Sequence, residues 1–253
     1  MTLIQASAAK NIVIFGASSA IAMACARRWA GEDVHFFLVG RRQDRLTQVA
    51  EDLSTLGASV HCAVCDFSNL DEHENTLDAC MAALGRIDLA LLAWGSLPDQ
   101  EACEGDSTLA AEAFHSNGLA VVALLSSLAR RMAPQASGTI AVISSVAGDR
   151  GRASNYVYGA AKAAVSTFCS GLRARLRRSG VHLLLIKPGF VATPMTQGLS
   201  LPALLVATPE TVASDITRAL KKSRNTLYTP WFWRVIMLVI KGIPEPVFKR
   251  LKF

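Results

Sequence analysis

Six short apolar or β-branched runs are separated by helix-length segments: Asn11 to Phe15, His35 to Val39, Val60 to Cys65, Ile87 to Ala93, Thr139 to Ser144 and Val181 to Lys187. They read as strands. Strand, helix and strand repeated in this way require right-handed crossovers, which build a largely parallel sheet covered by helices on both faces. The expected fold is therefore α/β, a single doubly wound parallel sheet, and such a sheet takes its ligands beyond the carboxyl ends of its strands. No repeat, low-complexity stretch or linker breaks the pattern. The 253 residues are read as one domain over 1–230, with 231–253 as an apolar, basic extension of it.

Hydrophobic residues make up 51% of the chain and charged residues 18%, which excludes disorder and leaves an unusually apolar globule or one that touches lipid. The net charge of +6 is local. From Arg218 to Phe253 there are nine Lys or Arg against one acid, Glu245, a surplus larger than that of the whole chain. A general nucleic-acid surface would need its charge spread more widely, so no nucleic-acid partner is expected. The opening MTLIQASAAKNIVIFG has neither a basic n-region nor a long apolar core, which predicts a cytoplasmic location. Six cysteines lie scattered through apparent helices and strands, as reduced thiols do. Cys62 and Cys65, three apart in a strand, point to opposite faces, so no metal site is expected there.

Three strand ends carry candidate chemistry. Gly16-Ala17-Ser18-Ser19-Ala20-Ile21-Ala22 follows the first strand as a turn of small residues opening a helix, where free N–H groups and the helix dipole meet a pyrophosphate. An ordinary tight turn would use similar residues, since only Gly16 is a glycine. The second strand ends in Val39-Gly40-Arg41-Arg42, without the acid that would take a ribose 2′-hydroxyl and with guanidinium groups suited to a 2′-phosphate. NADP(H) is favoured over NAD on that ground. Asp66, at the end of the third strand, suits either an adenine amino group or the capping of the following turn.

Tyr158 and Lys162 stand at i and i+4 in a helix starting near Asn155, which puts phenol and ammonium on one face. A free phenol titrates near pH 10, and a fixed cation beside it is expected to bring it toward the working range. Ser145, after the fifth strand, supplies a hydroxyl to orient a substrate oxygen. Tyr156, six residues before Lys162, falls on another face.

With these pieces in this order, the chain resembles the short-chain dehydrogenase/reductase family over nearly its whole length. The matching residues are Gly16, Asp66, Ala93-Trp94-Gly95, Asn117, Ser145, Tyr158, Lys162 and Pro188-Gly189-Phe190-Val191-Ala192-Thr193. The resemblance implies a Rossmann-type sheet of about seven strands, a homodimer or homotetramer, and Asn117, Ser145, Tyr158 and Lys162 as a catalytic tetrad. It implies cofactor contacts from Gly16, Ser18, Ser19, Ile21, Arg41, Arg42, Asp66, Phe67, Ala93, Gly95, Tyr158, Lys162, Pro188, Gly189, Val191 and Thr193. Pro188 and Gly189 would shape the wall beside the nicotinamide, and Asn117 would bend its helix. The chain departs from the family pattern at Ala20 and Ala22, where glycines are usual, and at Ala93-Trp94-Gly95, where Asn-Ala-Gly is usual.

Trp231 to Ile240 reads WFWRVIMLVI, too short to span a bilayer and too apolar to be left in water. Tryptophans beside cations suit the headgroup layer, so peripheral membrane contact through 231–253 is weighed against packing on the domain or a second subunit. Ala93-Trp94-Gly95, Asn155 to Gly159 and the Thr229-Pro230-Trp231 tail resemble the decaprenylphosphoryl-2-keto-ribose reductase branch of the family. That branch works beside a flavin-dependent oxidase and reduces a lipid-linked 2-keto-pentose. The leading expectation is therefore an NADPH-dependent reductase of a ketone carried on a lipid. A soluble ketoreductase and a catalytically silent NADP-binding scaffold are the competing ones.

Overall fold

In a computed structural model, which describes residues 11–198 and 201–251, seven strands form one sheet in which every neighbouring pair is parallel. They are β1 (Asn11–Phe15), β2 (His35–Gly40), β3 (Ser59–Val64), β4 (Leu89–Leu92), β5 (Thr139–Ile143), β6 (His182–Pro188) and β9 (Thr226–Thr229). Their order is β3-β2-β1-β4-β5-β6-β9. A second, two-stranded pair joins β7 (Phe190–Val191) to β8 (Val206–Ala207).

Both faces of the large sheet are covered, which is why its strands read as continuous apolar runs rather than as alternation. Ile12 and Ile14 pack on one side, against α1 (Ala20–Trp29), α2 (Gln43–Thr55) and α8 (Pro209–Lys221). Val13 and Phe15 pack on the other, against α3 (Asp71–Leu84), α6 (Ala120–Met132) and α7 (Tyr156–Leu176). Cys62 lies against the first layer and Cys65 in the second, so the sheet itself divides this pair.

The helix preceding α6 is not regular. α4 (Gln100–Gly105) and α5 (Ser107–Phe114) run into a π-turn over His115–Leu119 before α6 begins. The stretch Ser107–Gln135 is long and apolar enough, by length and composition, to cross a membrane. Its apolar character has a local explanation: Val121, Leu124, Leu125, Leu128 and Met132 fill the core beneath the sheet.

At the carboxyl end, α9 (Phe232–Gly242) and the single turn α10 (Glu245–Phe248) fold back onto the domain. Trp233 and Met237 pack on Val146, with Phe190, Leu205, Tyr228, Ile236 and Ile240 around them. This small cluster is separate from the two core layers.

Candidate active site

Phe15, Leu92, Val142 and Leu185 stand level across β1, β4, β5 and β6. The segments leaving these strands therefore gather at one edge: Gly16, then Ala93 to Gly95, Ser144 and Ser145, and Gly189. β1 and β4 are also where the chain reverses its direction of winding, the place where open α/β sheets leave a crevice.

Ser145 leaves β5 with an extended backbone, and its Oγ accepts from Ala147 N at 3.1 Å to start a short 3₁₀ turn over Val146–Asp149. That turn lies directly on α7. A Cβ placed on Gly148 would stand 2.7 Å from the Lys162 carbonyl carbon, so a glycine is what lets the two backbones meet. Ser144 Oγ donates to Lys162 O at 3.0 Å and ties the same turn of α7 to the strand end. With turn and helix locked together, the Ser145 hydroxyl is held where it acts on the Tyr158 phenol and lowers its pKa. Lys162 Nζ lies 5.6 Å from the centroid of the Tyr158 ring, and its residue is only 2% exposed. Tyr156 is exposed and outside this arrangement.

Asn117 sits in the π-turn, fully buried. Its Nδ2 donates to Ala113 O at 3.0 Å, and its Oδ1 accepts from Ser96 N at 3.0 Å. The side chain thus satisfies a carbonyl that a regular helix would give to the backbone four residues on, which is how a widened turn is tolerated in a buried helix. Gly95 leaves the space in which Asn117 and Lys162 come together: a Cβ there would stand 3.0 Å from Asn117 Oδ1 and 3.2 Å from Lys162 Nζ. Four elements, the β4 end, the π-turn, the serine turn and α7, therefore bring the predicted tetrad into one place.

Burial dominates its electrostatics. The Tyr158 phenol is pushed up to about 12 by desolvation, opposed by its hydrogen bond to Ser145. The Lys162 ammonium is pulled down to about 8, again by desolvation. The phenol therefore shifts in the direction opposite to the sequence expectation, and Ser145 rather than Lys162 is the partner that pulls it down. Removing both groups from water outweighs the attraction of a cation standing beyond the ring. At neutral pH the pair rests as a protonated phenol beside an ammonium.

The cofactor-side residues divide into those with local roles and those left open. Gly16 has φ +81°, and a Cβ there would strike Trp94 N at 2.8 Å, so β1 and β4 could not close on any other residue. Ser19 caps α1, its Oγ accepting from Ala22 N at 3.2 Å, while Ser18 is exposed and Ile21 half-buried. Ala22 is completely buried and its methyl fits between helix and sheet, whereas Ala20 stands half-exposed at the start of α1.

The two arginines after β2 are not equivalent. Arg42 pairs with Asp44 at 2.6 Å, while Arg41 is exposed and has no intramolecular partner among the described residues. Asp66 Oδ1 accepts from Ser68 N at 3.0 Å, which is the turn-capping role. Phe67 is buried and stacks on Trp94 with ring centroids 4.5 Å apart, and Trp94 Nε1 donates to Ser116 O at 3.2 Å. The unusual aromatic after Ala93 therefore braces the β4 end against the π-turn. Pro188 closes β6, Val191 is buried in β7, and Thr193 N donates to Thr196 Oγ1 at 3.2 Å.

Residues 10–202 match the short chain dehydrogenase family. The chain is 39% identical to an uncharacterized oxidoreductase of Mycobacterium tuberculosis, over 96% of this chain and 97% of that one. The chain belongs to the short-chain dehydrogenase family. It is an oxidoreductase of that family, and a further uncharacterized oxidoreductase, from Streptomyces coelicolor, is 32% identical over 96% of each chain. Among solved structures, actinorhodin polyketide ketoreductase with NADPH shares the fold, with a TM-score of 0.79 over 88% of this chain and 97% of that one at 20% identity.

This short-chain dehydrogenase also has residues at its site that motif reading missed. Asp149, four after Ser145, has a buried carboxylate that pairs with Lys187 at the end of β6, and Tyr228 Oη of β9 donates to its other oxygen at 2.8 Å. A lone lysine in the apolar run of β6 was the available signal, because a buried charge needs a partner. Arg150 grips the tail: Nη1 donates to Ile240 O at 2.7 Å and Ile243 O at 2.6 Å, and Nη2 to Glu245 at 2.8 Å. Trp233 closes over Gly189, where a Cβ would stand 1.9 Å from its Nε1. The carboxyl tail of the dehydrogenase is thus packed against Gly189 and held by Arg150, just after the turn that Ser145 starts.

Proposed function

We propose that this short-chain dehydrogenase reduces a ketone with NADPH, and that the ketone is carried on a lipid, of the polyprenyl-phosphoryl 2-keto-pentose type. The observation that carries the reading is the Tyr158 phenol, its pKa lowered by the Ser145 hydroxyl, beside the buried Lys162. A protonated phenol flanked by a hydroxyl and an ammonium is the acid that carbonyl reduction needs.

The residues present fit a nicotinamide dinucleotide. Lys162 Nζ is buried and faces the Tyr158 ring with no carboxylate among the described residues, so its remaining donors suit ribose hydroxyls. The start of α1, after Gly16 to Ser19, offers backbone N–H groups to phosphate. Arg41, exposed and without a partner among the described residues, suits a 2′-phosphate and favours NADPH over NADH. The nicotinamide, when bound, supplies the hydride.

The chain supplies the proton and the geometry. Tyr158 Oη gives its proton to the substrate oxygen, and Ser145 Oγ donates to the same oxygen and steadies the charge that develops there. Lys162 Nζ, cationic below about pH 8, stabilises the phenolate left behind. Asn117, with both amide groups engaged, holds the π-turn against Gly95 and Lys162. Support for a lipid-borne substrate comes from the apolar wall of Val146, Phe190 and Trp233, and from the likeness of Ala93-Trp94-Gly95 and the tail to the keto-ribose reductase branch.

The test is NADPH oxidation by the full chain, with a synthetic polyprenyl-phosphoryl 2-keto-pentose and with a soluble dicarbonyl. Turnover of the lipid-linked ketone, abolished in Tyr158→Phe, is expected. Turnover of the dicarbonyl alone would replace the substrate, and NADPH binding without oxidation of either would overturn the reading.

A further inference from the structure

Helix α9 is apolar on two faces, and the fold covers only one. Its inner face, with Trp233 and Met237, is buried against Val146 and Phe190. On the outer side Trp231, Val235, Leu238 and Val239 recur at i, i+4, i+7 and i+8, a single stripe about 100° wide. They are 75%, 53%, 72% and 62% exposed. Leu204 is almost fully exposed, and its neighbour Leu205 packs in the cluster that seats α9. A helix apolar on two faces calls for a second cover.

Charge says what that cover is. Arg234 and Lys241, seven apart, lie along one edge of the stripe and are exposed, as are Lys249 and Arg250 beyond it. The single acid between Trp231 and Leu251, Glu245, is already held by Arg150 at 2.8 Å. A second copy docked here by two-fold symmetry would set this basic edge against itself, with no free acid in the segment to neutralise it. An anionic lipid surface answers both features.

We propose that the outer face of α9 lies on an anionic bilayer, in its plane, with Trp231 at headgroup depth and Arg234 and Lys241 on lipid phosphates. Eleven residues make a helix about 16 Å long, half of what the hydrocarbon core requires, so the contact is peripheral. This contact is separate from the proposed reaction and does not depend on it. The same helix would present its inner side to the site and its outer side to lipid, placing the substrate wall at the membrane surface.

The experiment is flotation of the full chain with phosphatidylcholine vesicles, with and without phosphatidylglycerol, beside sedimentation velocity without lipid. Wild type should float only with the anionic lipid, and less as salt rises. Leu238→Glu with Val239→Glu, both on the exposed stripe, should cut the floated fraction by about tenfold. It should do so without lowering Tm. Wild type that stays in the soluble fraction with both vesicles, or a double variant that floats like wild type, would overturn the proposal. So would a wild-type dimer that the double variant dissociates, which would assign the face to a second copy.

Discussion

Arg150 and Ile240 join the active-site turn to the carboxyl tail: the guanidinium, five residues after Ser145, donates to the Ile240 carbonyl at 2.7 Å. It also reaches Ile243 O and Glu245, and lies over the Phe248 ring at 3.6 Å. A cation at a helix C-terminus satisfies carbonyls that have no partner in the helix. Arg150→Ala is therefore expected to lose about 2 kcal/mol in denaturant unfolding and to open α9 to protease. Arg150→Lys should recover little, since lysine lacks the planar fork.

The pH dependence follows from Lys162 and Tyr158. A lysine is charged below its pKa, so the pair of neutral phenol and ammonium is complete below about pH 8 and is lost as pH rises through it. The phenol, at about 12, stays protonated over that range. The rate of ketone reduction should be flat at neutral pH and fall about tenfold per unit above pH 8. A rate that climbed through pH 8 would contradict this assignment.

The same burial burdens stability. The folded-state value of Lys162, about 8, is below its ordinary 10.5, so the unfolded chain holds the extra proton between them. The contribution of Lys162 to stability should rise with pH across that window, against the opposite contribution of the buried thiols, whose raised pKa values make stability fall above about pH 9. Lys162→Met, which leaves no charge to bury, should be inactive yet more stable at neutral pH by up to about 3 kcal/mol, an advantage over wild type that shrinks as pH rises through the window. Thermal unfolding as a function of pH measures both.

Arg41 and Arg42 should separate cleanly. Arg41→Asp is expected to lower the preference for NADPH over NADH by roughly 10- to 100-fold in kcat/KM, the worth of a charged hydrogen bond. Arg42→Ala, whose guanidinium is engaged with Asp44 on an exposed surface, should change it only slightly. Equal effects of the two would place the phosphate elsewhere.

Gly189 and Trp233 should behave as a pair. A Cβ on residue 189 would overlap the indole, so Gly189→Ala must displace α9 and lower Tm by several degrees. In Trp233→Leu the space exists, and adding the alanine there should have little further effect. A double-mutant cycle read by Tm tests this coupling.

Much of the fold was legible because the central strands are buried on both faces and carry unbroken apolar runs, as Ile12 to Phe15 and Leu183 to Ile186 do. β9 escaped because Thr226–Thr229 is an edge strand of mixed polarity. Tyr158, Lys162, Ser145 and Asn117 could be read because local spacing and strand ends announce them. The split between Arg41 and Arg42 could not, since it depends on where Asp44 lies. Lys187 and Asp149 are 38 residues apart, and Trp233 meets Gly189 only through the return of the tail. Such pairings are made by tertiary folding and leave no periodic trace.

The widened turn at His115–Leu119 also limits how this chain can change by insertion or deletion. Removing one residue there would turn the five-residue hydrogen-bonded step into an ordinary four-residue one and leave α6 in phase, whereas removing one from the start of α6 would swing its later side chains by about 100°. In the second case Leu124, Leu125, Leu128 and Met132 would turn out of the core together. A one-residue deletion can thus be absorbed around Asn117 and not in α6, and what it removes is the widened turn that aims the Asn117 amide.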